Sequence, residues 1–252
     1  MKFSELKNFL DEKVLLYNTV DFIQNDPIQI PHQFTIYQDI EIAAFLTATI
    51  AWGNRKSILK SANEIMNYID FSPYNFIKNF TENDTKLWKK SIHRTFNSND
   101  LRYFCLALKH LYNKEESLEN YFLIDEDETN TFGAIMRFRN SFFSLEHEYR
   151  TQKHIANPER NASCKRLNMM LRWLVRKDNF GVDFGIWQKI PMRKLSCPLD
   201  IHSGKSARSF KLLSRKQNDR KSVEELDYFL RKLDAEDPVK YDFALFGLSE
   251  QN

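Results

Sequence analysis

Lys165 and Asp200 are the residues whose types and settings suit covalent chemistry best. An amine is a nucleophile only when neutral, and Lys165 stands in the first turn of an amphipathic segment, where the positive end of the helix dipole opposes an ammonium. Asp200 follows Pro198 and Leu199, an extended approach, and its short carboxylate is a favoured N-cap for a helix that Ile201 begins. Most N-cap aspartates are caps and nothing else. One held beside a cleft has a second use, because it stays ionised and rigid next to a cationic intermediate.

Basic side chains surround both positions. Residues 164–176, CKRLNMMLRWLVR, set Leu167, Met170, Leu171 and Leu174 on one helix face. Lys165, Asn168, Met169, Arg172, Trp173 and Arg176 fall on the other, a basic face with an exposed indole that reads either as solvated or as a polyanion contact. Lys205, Arg208 and Lys211 follow Asp200 at three-residue intervals, the spacing of a phosphate-tracking surface. Trp52-Gly53-Asn54-Arg55 either ends a helix with a glycine cap or presents Asn54 and Arg55 to a ligand. The six histidines form no H-x-x-x-H or H-E-x-x-H pair, and neither G-x-x-x-x-G-K-[ST] nor G-x-G-x-x-G occurs, so metal, nucleotide-hydrolysing and dinucleotide chemistries find no motif.

The elements that must position these residues are helical. Leu6, Phe9, Leu10, Val14 and Tyr17 predict a helix over 5–16 behind Ser4 as N-cap, and the dense run IEIAAFLTATIAW after Asp39 predicts one buried on nearly all sides. Further helices are expected over 57–69, 101–112, 132–143, 164–176 and 200–212. Ser222-Val-Glu-Glu225 reads as a capping box, and Asp237-Pro238 opens a last helix lined by Tyr241, Ala244, Leu245 and Leu248. About ten helices with little or no sheet follow, the helices behind Lys165 and Asp200 meeting at one cleft. Asp26 to Phe34 reads as an extended linker, and Asp125 to Glu128 as a solvated acidic loop.

Composition agrees with a folded helical protein. The chain has 252 residues, 42% hydrophobic and 28% charged, enough for one large domain, while 6 glycines and 7 prolines are too few for the turns of a sandwich or barrel. No window of 18 uncharged apolar residues occurs, and three scattered cysteines, Cys105, Cys164 and Cys197, suit free thiols, so a cytoplasmic location is expected. The formal charge of +3 does not by itself announce a polyanion partner.

A lysine opening one helix, followed by a hydrophobic-Asp-x-His string opening the next, resembles the helix-hairpin-helix DNA glycosylase superfamily. Within it, K-x-x-x-x-x-L-R from Lys165 to Arg172 and Leu199-Asp200-Ile201-His202 are similar to the nucleophile helix and aspartate motif of the archaeal-type 8-oxoguanine DNA glycosylase/AP lyases. Residues 237–248, DPVKYDFALFGL, resemble the last superfamily helix, and the chain looks like a group of uncharacterised bacterial proteins carrying KRLNM, LRW and PLD-x-H. The likeness is good over 155–248 and loose from Asp39 onward.

The resemblance implies an all-α fold with two helical subdomains flanking the cleft, residues 35–150 forming one and 1–34 with 151–252 the other. It implies a base-excision repair enzyme, a monomer of the nucleoid with no cofactor and no membrane partner, acting on duplex DNA that carries an oxidised purine such as 8-oxoguanine. Lys165 would form a Schiff base at C1′ and Asp200 would stabilise the sugar cation. Asn161 and Ser163 in the hairpin stretch NPERNASCK, with Arg172, Arg176, Lys205 and Arg208, would hold phosphates. Trp173, Trp187, His202 and Phe243 would form the base pocket. The family's hairpin glycines are missing here, Asn161 standing where a left-handed residue is needed. The insert 177–194 is aromatic and basic, fit for a lid, a groove contact or a packed loop. The alternative is a helical nucleic-acid-binding protein that keeps the fold without catalysis.

Overall fold

The apolar periodicity closes into helices in a computed structural model that describes residues 2–250. Along the chain these are α1 (Phe3–Tyr17), α2 (Val20–Gln24), α3 (Tyr37–Ile50), α4 (Arg55–Tyr68), α5 (Pro73–Asn79), α6 (Ser98–Tyr112), α7 (Phe132–Phe142), α8 (Lys165–Val175), α9 (Ile201–Ser209), α10 (Arg220–Leu233) and α11 (Tyr241–Glu250). Among the described residues the only sheet is an antiparallel hairpin, β1 (Ser91–His93) with β2 (Phe96–Asn97). No described helix is long and apolar enough to cross a membrane.

α3 is the central rod. Every residue from Asp39 to Ile50 is buried, and the helix packs on α8, α4 and α5. Its one glutamate, Glu41, is fully buried, which requires the carboxylate to be hydrogen-bonded. It accepts from Trp187 Nε1 at 2.6 Å, Tyr112 OH at 2.8 Å, Ser117 Oγ at 2.5 Å and the Leu118 amide at 3.2 Å. α1 packs on α11 and α11 on α9, the helix that Asp200 opens.

Three local expectations need correction, and one left open is decided. α1 starts at Phe3, with Ser4 inside its first turn and the Glu5 carboxylate accepting from the Lys2 amide. Residues 26–34 are two 3-10 turns, Pro27–Gln29 and Pro31–Gln33, that bury Ile28 and Ile30; proline sets the right φ for such turns, and the apolar residues between pull them inward. α10 is capped by Asp219, which accepts from the Ser222 amide, whereas Glu225 accepts from the Ser214 amide. Of the readings open for the insert 177–194 the packed loop is the one seen: Val182, Trp187 and Ile190 are buried, and Phe184 stacks on His32 at 4.2 Å.

Candidate active site

Asp200 caps α9 and faces Lys165 at once. One oxygen, Oδ1, accepts from the Ser203 amide at 2.9 Å and from its hydroxyl at 3.2 Å; the other, Oδ2, lies 3.3 Å from Lys165 Nζ. Lys165 is the first residue of α8, behind Cys164, which takes the left-handed conformation at φ 52°. The lysine side chain is 33% exposed and the aspartate 18%, so the pair is reachable from solvent yet held by two helix starts.

Both line a cleft of about 510 Å³, within the usual range for a small-ligand site. Its wall carries four aromatic rings, Phe22, Trp52, Phe243 and Phe246, with Phe22 edge-on to Phe243 at 5.1 Å. Trp52 lies under the Arg166 guanidinium, 4.8 Å from its ring centre, and Arg166 donates to the carbonyls of Thr49 and His154. Cys164 also lines the cleft, but burial pushes its thiol up to about 12, so it is no thiolate at neutral pH.

Two more carboxylates share the cleft. Asp242 donates nothing and accepts from Arg172 Nη1 at 2.5 Å; burial raises its carboxyl, Arg172 pulls it back, and nearby Asp200 raises it again, leaving it at about 6. Asp26 caps the turn at Pro27 through the Ile28 amide, and burial raises its carboxyl as well. Among the described residues no three metal-binding side chains come together.

This arrangement can place an amine and an anion on one reacting centre, with flat apolar walls around it. The family described as "Protein of unknown function (DUF2400)" matches residues 26–251. The chain belongs to this family. No curated protein and no solved structure matches it.

In this DUF2400 chain the predicted site residues divide sharply. Lys165, Asp200, Ser163, His202 and Phe243 line the cleft together, and Arg172 reaches its wall as well. Asn161 is left-handed as expected, at φ 59°, but its side chain donates to Asp219 and its carbonyl accepts from the Arg220 amide, so it ties the hairpin to α10. Lys205 is exposed on α9.

Arg172 and the remaining positions are engaged within the protein. Arg172 is 4% exposed and bonded to Asp183 and Asp242; Arg176 is 2% exposed among Asp178, Asp183 and Asp237. Both charges are engaged by these carboxylates, and the insert and α11 cover the helix face that periodicity left polar. Arg208 donates to the carbonyls of Arg215, Lys216 and Gln217 and to Asn218 Oδ1, stitching the loop after α9. Trp173 and Trp187 are core residues, 0% and 1% exposed, and neither lines the cleft. Sequence reasoning passed over Phe22, Asp26, Asp242 and Phe246. The acid within the apolar run of α11 was the one available signal for Asp242.

Proposed function

We propose that this protein is a helix-hairpin-helix DNA glycosylase with AP lyase activity that excises an oxidised purine, such as 8-oxoguanine, through a lysine Schiff base. The observation that carries the reading is the 3.3 Å approach of Lys165 Nζ to Asp200 Oδ2 in an aromatic-walled cleft. C1′ of a stacked nucleotide is out of reach of any side chain, so the damaged nucleotide must leave the duplex, at a few kcal/mol, and its base would lie against the rings. Phe243 and His202, both cleft residues, would form part of that pocket.

Lys165 Nζ, as free amine, bonds to C1′ while the bond from C1′ to the base breaks, and the base departs with that electron pair and takes a proton from solvent. Asp200 Oδ2 steadies the positive charge on the sugar as the bond lengthens. The new ammonium passes one proton to Asp200. O4′ then takes that proton as the sugar ring opens to a protonated imine. Water takes a C2′ proton, the C2′–H electrons form a C2′=C3′ double bond, and the 3′ phosphate leaves with the C3′–O pair, which cuts the strand. Lys205 would hold backbone phosphate without reading sequence, as suits an enzyme that meets lesions in any context. A monomer bound to nucleoid DNA accords with this role.

Borohydride reduction during incubation with an 8-oxoguanine duplex tests the reading. A covalent protein–DNA species and a cut strand are the predicted results. Duplex binding with neither would favour the non-catalytic DNA-binding alternative, and no binding would overturn both.

A further inference from the structure

Arg166 and Arg172 line the cleft but are engaged by internal partners, whereas a further arginine beside it stands exposed. Arg94 sits at the tip of the β1–β2 hairpin, after the His93–Phe96 pair, and is exposed. Its φ is +51°, a left-handed conformation that glycine or asparagine adopts at lower cost than arginine.

The hairpin is bolted to the cleft wall. His93 Nε2 donates to the carbonyl of Trp52 at 3.0 Å, and the His93 ring meets the Trp52 ring edge-on at 5.1 Å. Ser61 Oγ lies 3.0 Å from the Ile92 carbonyl and 3.1 Å from His93 Nδ1. In the turn itself Arg150 donates to the Thr95 carbonyl at 2.8 Å, but the Arg150 charge is engaged by Asp100.

The Arg94 guanidinium lies over Gly53, itself a cleft residue at φ +101°, and a Cβ at Gly53 would collide with it. Among the described residues no carboxylate stands within ion-pair distance of Arg94. A strained, unpaired cation seated on a bare glycine at the rim of a cleft has the form of a ligand contact, because a planar guanidinium suits phosphate oxygens and a solvated surface arginine needs no such cradle.

We propose that Arg94 is a phosphodiester-holding finger that grips the DNA backbone where the strand passes into the cleft. The inference rests on the DNA reading above and adds a contact that the notable basic strings of the sequence do not contain. It makes the hairpin part of the DNA-binding face.

The test is fluorescence anisotropy with a duplex carrying a tetrahydrofuran abasic analogue, at a series of NaCl concentrations. Arg94→Asn removes the charge while tolerating the backbone angle; Arg94→Lys keeps the charge. The asparagine variant should bind about 10-fold more weakly at low salt and should reduce the log–log salt slope by about 0.9, the loss of one phosphate contact. The lysine variant should keep the wild-type slope. An asparagine variant with the wild-type slope overturns the finger, whether its affinity falls or not. Should that variant melt early, Arg94→Gly, which accepts the same φ, takes its place. Wild-type protein that does not bind the duplex would overturn the DNA reading and the finger with it; wild-type binding with no change of slope in the variant overturns the finger alone.

Discussion

The two oxygens of Asp200 have separate partners, and this separation makes the residue testable. Asp200→Asn keeps an oxygen for the Ser203 amide but replaces the charge facing Lys165. The cap should survive at a cost below about 1 kcal/mol, while base release falls by orders of magnitude with little change in melting temperature. Unfolding of the variant, with its native fraction fully active, would reduce Asp200 to a cap. Lys165→Gln should behave otherwise, losing imine formation and strand cleavage while keeping affinity for lesion DNA, as read by trapping and anisotropy side by side. Both positions were legible in the sequence because each announces itself locally, one at a helix start and one at a cap. Asp26 and Phe246 were not, since what makes them cleft residues is the approach of segments far apart in the chain.

At the level of elements, periodicity located α3, α6, α7 and α8 within a few residues but misjudged what covers them. The polar face of α8 looked solvated because its partners, Asp183, Asp237 and Asp242, come from the insert and from the segment around α11. A buried charge left without its partner is costly, so Asp183→Asn, which strips one carboxylate from both Arg172 and Arg176, should cost about 3 kcal/mol and lower the melting temperature by roughly 10 °C. A calorimetric melt within a degree of wild type would contradict that assignment.

A second element-scale prediction concerns acid. Asp100 caps α6 through the Asn97 amide, accepts from Arg150 and Thr151, and lies 3.2 Å from His154. Burial opposes its charge, but these partners outweigh burial and hold the carboxyl down at about 2, below the ordinary 3.8. An aspartate depressed on folding stabilises above its unfolded pKa and loses that contribution as pH falls through the folded one. Roughly 2 kcal/mol should therefore vanish between about pH 5 and pH 2. Denaturant melts across that range should show the loss, and Asp100→Asn should flatten it.

For the whole molecule, a formal charge of +3 says little, because most arginines near the cleft are spent on internal partners. The helical class was readable from scarce glycine and pervasive apolar spacing. The way α1 returns to α11 was not, because no local pattern encodes that meeting. If the cleft takes duplex DNA, affinity should fall with salt through a small number of phosphate contacts, a shallower slope than the count of nearby basic residues suggests.

The central claim is that one lysine, Lys165, forms the covalent bond. Digestion of the borohydride-trapped complex with 8-oxoguanine duplex, followed by peptide mass spectrometry, reads that bond directly. The account predicts the reduced sugar remnant on Lys165 and no trapped species from Lys165→Gln. A remnant on another amine, or trapping that survives in the Lys165→Gln variant, would contradict it.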